Sequence, residues 1–354
     1  MLKYGNDNLS ALEAKFNAQK IAFAPIMFQA ARALRNLGIL ELLMKKRKGI
    51  TLEEIAETLH LSVYGVKVLL EAGLSLEMVR VDDDKWFLTK TGYFIQYDEL
   101  TRVNMDFTHD VNYLGMFHLD ESIKEGKPAG LKVFGDWDTV YEGLFGLPPE
   151  ALKSWLAFDH FYSDYAFPEL LPIVFKHKPR KIMDVGGNTG KFALECVKFN
   201  PDVTVTIVDL PGQTEKAEET AAEKGFAGRI KTFSTNLLDH SANLPHGADL
   251  IWMSQFLDCF SQEDVLSLLN RAKEAMQPES RLYILETYWD KQEFGASTYS
   301  LHATSLYFTC MANGCSQMYH SRDMLKLIDQ AGLSVEETHE NIGVSHTLLI
   351  CKKK

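Results

Sequence analysis

The sequence lacks closely spaced cysteines and long hydrophobic runs. Its five cysteines include no CxxC pair, so the sequence indicates neither a disulfide framework nor a zinc site, and we interpret them as reduced thiols. No apolar run approaches the ~20 residues that a transmembrane helix needs, and residues 1–10 are polar, without a signal-peptide core. We therefore predict a cytoplasmic protein with no membrane partner.

An excess of positive charge is also missing. The chain has 37 Lys and Arg against 48 Asp and Glu, for a net charge of −11, whereas binding to nucleic acid requires clustered cations that neutralise phosphates. Nucleic acid is therefore not expected as a partner. The 354 residues, 46% hydrophobic and 24% charged, fit a globular protein with room for two domains.

The front of the chain predicts a winged helix. Residues 9–48 have apolar positions at helical spacing with a break at Gly38. Thr51-Leu-Glu-Glu54 is a capping box that opens a helix, Ser62 begins a second helix, and residues 79–89 are typical of a hairpin. We predict a helical and winged-helix domain over residues 1–100.

A winged helix can bind DNA or join two subunits. Residues 62–74, where a recognition helix would lie, carry one Lys and one Glu, and the wing carries Asp82, Asp83 and Asp84. Phosphate would be repelled by such a surface. This pattern favours a homodimer formed through the front domain over a transcription regulator.

The rest of the chain predicts an α/β fold. Residues 101–178 are helical and aromatic, and we expect them to connect the two domains and to contribute to a substrate pocket. Residues 179–354 alternate between strand and helix, which predicts a doubly wound parallel sheet. Strands are predicted at 181–185, 203–209, 230–235, 248–254, 281–287, 335–340 and 345–351. The last two are too close for a crossover helix and should form an antiparallel hairpin, at the edge of the sheet or inside it.

A Gly-rich turn after the first of these strands predicts a ligand site. The turn has neither the Lys-Ser/Thr ending of a phosphate-binding loop nor the spacing of a dinucleotide fingerprint. It reads Asp184-x-Gly186-x-x-x-Gly190, and Asp209 closes the next strand 23 residues after Gly186, where an acid can accept hydrogen bonds from ribose hydroxyls. Without phosphate-neutralising residues, the ligand should be a nucleoside with a charged amino-acid tail, namely S-adenosylmethionine. Asn188 replaces a glycine and is the residue type that best tolerates a left-handed backbone.

Several segments together resemble a known family. They read Asp184-Val-Gly-Gly-Asn-Thr-Gly190, Val208-Asp-Leu-Pro211, Leu250-Ile-Trp-Met-Ser-Gln-Phe-Leu-Asp258 and Arg281-Leu-Tyr-Ile-Leu-Glu286. From about residue 20 to 350, the chain is similar to the winged-helix class I O-methyltransferases, a group that includes plant caffeate-type and bacterial polyketide and hydroxyindole enzymes. The resemblance implies that the ribose is held by Asp209 and that Leu210 packs on the adenine. The full cofactor-binding set that it implies is Asp184, Gly186, Gly187, Gly190, Asp209, Leu210, Asn236, Leu237 and Ser254.

The chain departs from the family at the catalytic position. Family members carry a His there as general base, whereas this chain has Asp258, and the acid that supports the His is also missing; Glu286 matches the other flanking acid. An Asp with an ordinary pKa of about 3.9 is a poor base for a phenol of about 10, by roughly 8 kcal/mol. Three hypotheses stay open: Asp258 with a raised pKa, a substitute base at His302 or His320, or an acceptor that needs little base help. Asp258 could instead cap the helix that follows Ser261.

The aromatic and polar residues after the fifth strand predict the substrate side. Together with residues of the preceding helices, the predicted set is Phe158, Tyr162, Trp289, Tyr299, His302, Ser305, Phe308 and Asn313. No cluster with metal-ligand spacing occurs, so no metal is predicted. The resemblance implies methyl transfer to a hydroxyl of a small aromatic or polyketide-like metabolite. C-methylation, and a cofactor-binding protein without transferase activity, remain alternatives.

Overall fold

The computed structural model describes the backbone of residues 7–164 and 166–354 and the side chains of all of these except residues 162–164. The helices are α1 (Ala11–Asn36), α2 (Ile39–Lys45), α3 (Leu52–Leu59), α4 (Val63–Ser75), α5 (Lys90–Tyr97), α6 (Glu99–Phe107), α7 (Leu119–Glu125), α8 (Val140–Gly143), α9 (Pro149–Asp164), α10 (Phe167–Val174), α11 (Lys191–Phe199), α12 (Pro211–Glu223), α13 (Gln262–Ala275), α14 (Gly295–Tyr307) and α15 (Ser321–Gln330). The strands are β1 (Val79–Asp82), β2 (Lys85–Leu88), β3 (Lys181–Val185), β4 (Thr204–Asp209), β5 (Ile230–Ser234), β6 (Leu250–Ser254), β7 (Arg281–Glu286), β8 (Leu333–Ile342) and β9 (His346–Lys353).

The described residues up to Asp110 form one compact unit. The predicted break in the first helical run is confirmed, because α1 ends at Asn36 and Gly38 takes a left-handed φ of 79° before α2. The predicted capping box also forms at the start of α3: the Thr51 side chain accepts from the Glu54 N–H, and the Glu54 carboxylate accepts from the Thr51 N–H. Fully buried aliphatic side chains form the core of this unit, among them Leu34, Ile39, Leu40, Ile55 and Leu70.

The winged-helix arrangement of α3, α4 and the β1–β2 hairpin is confirmed. The outward face of α4 is apolar, since Val63, Tyr64 and Val68 are exposed, and Lys67 lies 4.0 Å from Glu71 of the same helix. This helix thus presents apolar area and one ion pair to its surroundings.

The second compact unit, Val111–Lys354, contains the predicted α/β sheet. The strand order is β5-β4-β3-β6-β7-β9-β8. The first five of these strands pair in parallel, and β9 pairs antiparallel with both β7 and β8. The doubly wound sheet with an antiparallel final hairpin is therefore confirmed, with β9 inside the sheet and β8 at its edge.

The central strands β3, β6 and β7 read as apolar runs because helices cover both faces of the sheet. Successive side chains point to opposite faces. Accordingly, Met183 and Ile251 belong to a core with α13, while Ile182 and Trp252 belong to another with α11. The chain runs outward from β3 to β5 and then returns to β6 on the other side of β3. This reversal of direction places a crevice at the carboxyl ends of β3 and β6, where doubly wound sheets bind ligands.

The compact units divide between Asp110 and Val111. The three-part division, with a connector over residues 101–178, stays a prediction. No helix in the described part of the chain combines the length and the apolar character needed to cross a membrane.

Candidate active site

The Gly-rich turn joins β3 to α11 at the crevice. The Gly186 N–H donates to the Val208 carbonyl at 2.9 Å, which ties the turn to β4. Gly186 and Gly190 have φ values of 75° and 82°, and Asn188 has a φ of 47°. The left-handed backbone that the sequence analysis expected Asn188 to tolerate is thus present.

The glycines of this turn are required by close packing. A Cβ on Gly186 would lie 2.2 Å from the Phe256 ring, and one on Gly187 would lie 2.6 Å from Asp184 Oδ2. Asp184 is only 3% exposed, and its Oδ2 has no hydrogen-bond partner among the described residues. Burial, and then the negative charge of Asp209, raise the pKa of Asp184 to about 8. An unsatisfied carboxyl beneath the turn is a place for a ligand that carries positive charge.

Asp209 ends β4 beside the turn. One carboxylate oxygen accepts from the Asn188 N–H at 2.8 Å and the other accepts from the Leu210 N–H at 2.7 Å. Burial raises the pKa of Asp209, while these two backbone hydrogen bonds oppose the increase. The bonds fix the orientation of the carboxylate and leave lone pairs on both oxygens for hydroxyl donors.

A cleft of about 390 Å³ opens at this turn. Eight of the nine predicted cofactor-binding residues line it: Asp184, Gly186, Gly187, Asp209, Leu210, Asn236, Leu237 and Ser254. Gly190 does not line the cleft; it sits at the N-cap of α11, where its φ shapes the turn. The side-chain oxygen of Asn236 accepts from the Leu238 N–H at 3.0 Å, so this amide also holds the loop that follows β5.

Aromatic side chains form another part of the lining, and we call Tyr141, Trp155, Phe256 and Phe260 the aromatic lining. The rings of Phe256 and Phe260 meet edge to face at 4.7 Å. The Trp155 indole N–H donates to the Tyr307 hydroxyl at 2.7 Å, which fixes the ring. Flat apolar walls joined to a polar turn are typical of a site for a small aromatic molecule.

The structure places few residues of the predicted substrate set at the cleft. Only Asn313 of that set lines the cleft among the residues whose side chains are described, and its Nδ2 donates to the Cys259 carbonyl at 2.7 Å. Tyr299 is 73% exposed on α14, and Phe308 is buried. The Ser305 hydroxyl donates to the Leu301 carbonyl and accepts from the Met318 N–H.

Two further residues of the set, Phe158 and Trp289, are not part of the cleft lining. Phe158 is half-buried and does not line the cleft. Trp289 packs against the rings of His302 and His320, at 5.0 Å and 4.8 Å. The side chain of Tyr162 lies outside the described residues.

The two histidines proposed as substitute bases both pack against Trp289. His320 Nδ1 accepts from the Arg322 N–H and lies 3.4 Å from Asp290, which places this ring at the N-terminus of α15. His302 is exposed on α14. Neither ring lines the cleft, so the structure does not place either of them at the reacting atoms.

Asp258 is buried next to the cleft rather than exposed in it. The carboxyl lies in a 3-10 turn after β6 and is 5% exposed. The Cys259 thiol, which does line the cleft, donates to Asp258 Oδ1 at 3.4 Å. Burial raises the pKa of Asp258 to about 7; the Cys259 bond opposes this increase and the charge of Asp159 adds to it. The capping alternative is wrong, because Ser261 caps α13 by accepting from the Asp264 N–H.

Glu286 supports the backbone at this position. Its Oε1 accepts from the Phe256 and Leu257 N–H groups, at 3.1 Å and 2.8 Å. The side chain is 1% exposed, and burial and then the charge of Asp258 raise its pKa. Glu286 therefore holds the turn that carries Asp258 and does not line the cleft.

Several polar residues of the lining were not predicted from the sequence, among them Asp159 and His160 on α9. His160 Nδ1 lies 3.7 Å from Asp159 Oδ2. A signal was available, since Trp155 and Asp159 are four residues apart and therefore share one face of a helix. The acid and the imidazole were overlooked within a run of aromatic residues.

Comparison with known proteins bears on this geometry. The profile of the Dimerisation2-like domain family matches residues 15–86, and that of the O-methyltransferase domain family matches residues 170–334. Residues 170–334 therefore belong to the O-methyltransferase domain family. S-adenosylmethionine is the cofactor of this family, and the unpaired Asp184 oxygen, the glycine turn and Asp209 are features that fit it.

Individual relatives are distant. The L-tyrosine C(3)-methyltransferase of Streptomyces lavendulae is 23% identical over 320 residues, which cover 89% of this chain and 86% of that protein. The apo structure of the S-adenosylmethionine-dependent methyltransferase SibL has a TM-score of 0.73 at 24% identity, covering 95% of this chain and 98% of that one. The O-methyltransferase NcsB1 of neocarzinostatin biosynthesis, in complex with S-adenosylmethionine and 2-hydroxy-5-methyl naphthoic acid, has a TM-score of 0.63 at 18% identity, covering 99% and 100%. These structures share the fold.

Proposed function

We propose that this protein transfers the methyl group of S-adenosylmethionine to a hydroxyl of a small aromatic metabolite. The observation that carries the proposal is that one cleft contains both the glycine turn with Asp184 and Asp209 and the aromatic lining. A cofactor held at the turn would share a single enclosed space with a flat acceptor held by the rings. Positioning of this kind supplies a large part of the rate in bimolecular transfers.

Roles for the cofactor-binding residues follow from their contacts. Asp209, fixed by two backbone N–H groups, would accept hydrogen bonds from the ribose hydroxyls. Leu210 and Leu237 offer apolar contacts for the adenine, and Asp184 offers a negative charge to the cationic part of the molecule. When bound, the cofactor supplies an electrophilic methyl group.

The raised pKa of Asp258, the acid at the family's catalytic position, lowers the free energy needed to take a proton from a phenol. With a pKa of about 7, Asp258 differs from a phenol of about 10 by roughly 3 units, or ~4 kcal/mol, instead of ~8 kcal/mol for an ordinary Asp. Burial thus supports the first of the three hypotheses. Access argues against direct contact, because this carboxyl is 5% exposed and does not line the cleft, whereas Cys259 does.

C-methylation of an electron-rich aromatic ring is the second candidate. The observation that favours it is the buried Asp258 in place of an exposed imidazole, together with the similarity to a relative that is named for methylating a tyrosine ring carbon. The two candidates differ in the product. An O-methyl product loses its phenolic proton, whereas a C-methyl product keeps it and loses a ring proton, and proton NMR distinguishes them.

We also propose that the protein is a homodimer joined through the front domain. The Dimerisation2-like match supports this, as do the apolar residues exposed on α1, which include Leu12, Phe16 and Ile21. Light scattering on the full chain and on Phe16→Asp tests it. The wild type should have twice the monomer mass of 40.1 kDa, and a monomeric wild type would contradict the proposal.

Labelled methyl transfer tests the function itself. The protein is incubated with methyl-labelled S-adenosylmethionine and a metabolite extract of the source organism, and products are identified by mass spectrometry. Asp209→Ala should abolish the transfer, and Asp202→Ala, a change at an exposed acid on the loop before β4, should not. Transfer that is unchanged in Asp209→Ala would show that the cofactor assignment is wrong. Cofactor binding by calorimetry without any product would instead favour a binding protein without transferase activity.

A further inference from the structure

We propose that His160 on α9 is the general base of the cleft and that Asp159 orients and stabilises it. The inference rests on the proposed methyl transfer and assigns the base to an element that does not carry the family's catalytic position. It is carried by three observations: the access to the cleft, the chemistry of its lining, and the pairing of these two side chains.

Access argues against direct contact between an acceptor and the four residues that the sequence predicted as catalytic. Asp258 and Glu286 are 5% and 1% exposed and do not line the cleft. His302 and His320 pack on Trp289 away from it. A general base must reach the proton within hydrogen-bond distance or through one water.

The lining contains one imidazole within the part of the chain that is described, and it is His160. Burial raises the pKa of the Tyr141 hydroxyl, so this group keeps its proton. Histidine has the side chain whose ordinary pKa, about 6.5, suits proton transfer near neutral pH.

Asp159 stands beside the imidazole. The 3.7 Å between His160 Nδ1 and Asp159 Oδ2 is an ion-pair distance once the ring is protonated. The charge of Asp159 also acts on Asp258 and on the Tyr307 hydroxyl, which accepts from Trp155. Asp159 therefore lies near the part of the wall that Asp258 and Tyr307 support.

The acceptor hydroxyl gives its proton to Nε2 of His160, its oxygen forms a bond to the methyl carbon of the sulfonium cofactor, and the electron pair of the broken C–S bond stays on sulfur. The products are the methyl ether, S-adenosylhomocysteine and an imidazolium next to the Asp159 carboxylate. The imidazolium then loses its proton to solvent.

The main experiment compares His160→Gln with Asp258→Asn and with His246→Gln, a change at an exposed loop histidine. Label transfer from S-adenosylmethionine is measured into the metabolite extract and into two pure acceptors, L-tyrosine and 2-hydroxy-5-methyl naphthoic acid. His160→Gln should lower kcat by about 100- to 10,000-fold, with unchanged cofactor affinity by calorimetry, and His246→Gln should leave kcat unchanged. Added imidazole should restore part of the rate in His160→Gly.

The dependence on pH separates a base from a structural residue. The wild-type kcat should rise through the imidazole range and level off, whereas kcat of His160→Gln should rise tenfold per pH unit towards the pKa of the acceptor. A large loss in Asp258→Asn with no loss in His160→Gln would overturn the assignment and return the base to Asp258. A wild type that transfers no methyl group would overturn the proposed function, and this assignment with it.

A measurement without turnover tests the pairing. The imidazole resonance that disappears in His160→Gln is assigned to His160 and titrated by NMR in the wild type and in Asp159→Asn. Loss of the adjacent negative charge should lower its pKa by about one unit or more. An unchanged midpoint would show that Asp159 does not act on His160.

Discussion

Cofactor binding should release close to one proton at pH 6.5, because Asp184 is protonated in the free protein. With a pKa of about 8, this buried carboxyl is roughly 97% protonated at that pH by the titration equilibrium. A cation placed beside the unpaired Oδ2 favours the ionised form. The methionine amino group, with a free pKa of about 7.7–8.0, keeps its proton at pH 6.5 and does not obscure the effect.

The cost of this ionisation can be worked out. Release of close to one proton at pH 6.5 needs the pKa of Asp184 to fall from about 8 to about 5.5 or lower in the complex, which uses at least 2.5 units, or about 3.4 kcal/mol of binding free energy. The dissociation constant should therefore fall by about tenfold for each unit that the pH rises from 5.5 to 7. Asp184→Asn, which keeps the shape of the side chain, should remove most of the proton release.

Calorimetry in two buffers of different ionisation enthalpy measures the protons released. The titration is made with S-adenosylmethionine at pH 6.5 on the wild type and on Asp184→Asn, and thermal melting confirms that the variant folds. Equal proton release by both proteins would refute the role assigned to Asp184. A release that falls by much less than one proton would point to Asp209, whose pKa is also raised.

Three further predictions concern the turn and the buried acid. The pKa of Asp258 is raised to about 7 in the folded protein, so the wild type loses stability as the pH rises from about 4 to 7. In urea unfolding, the free energy of unfolding of Asp258→Asn should therefore increase relative to that of the wild type by up to about 4 kcal/mol between pH 4 and pH 8. A difference between the two proteins that does not vary with pH would contradict this. Gly186→Ala should lower the free energy of unfolding by about 1–3 kcal/mol and weaken cofactor binding, because it combines a φ of 75° with a Cβ 2.2 Å from Phe256. Gly212→Ala, where a Cβ meets nothing within 4 Å, is the control. Equal melting temperatures of the two variants would show that the close packing at Gly186 is not required. Asn188→Gly should keep cofactor binding and Asn188→Val should lose it, since φ is 47° at that position, and binding retained by the Val variant would contradict the geometry.

The sequence was sufficient for the parts of the molecule that local patterns encode. The glycine spacing, the acid that ends β4 and the capping box at Thr51 each depend on residues a few positions apart or on two adjacent strands. Their geometry follows from the backbone conformation that those residue types allow. The central strands β3, β6 and β7 were also predictable, because burial on both faces leaves continuous apolar runs.

The predicted substrate set needed information that composition does not contain. The segment after β7 has the right mixture of aromatic and polar side chains. In helix α14, however, Tyr299 is exposed to solvent and His302 packs against Trp289. Which face of a helix meets a cleft depends on what packs on the opposite face. The sequence of α14 has little amphipathic character to settle this, since Thr, Ser and Ala alternate with its larger residues.

Asp258 occupies the family's catalytic position in the sequence, but its burial in the structure differs from what that position suggests. Residues 257–259 form a 3-10 turn held by Glu286, and consecutive side chains in such a turn point in different directions. Cys259 therefore lines the cleft while Asp258 is buried beside Glu286 and Asp159. A carboxyl placed there is held neutral at moderately acid pH by burial, so it sets the polarity of the wall without reaching an acceptor. This burial is the reason that we propose a base from another element, the His160 imidazole on α9, which lines the cleft.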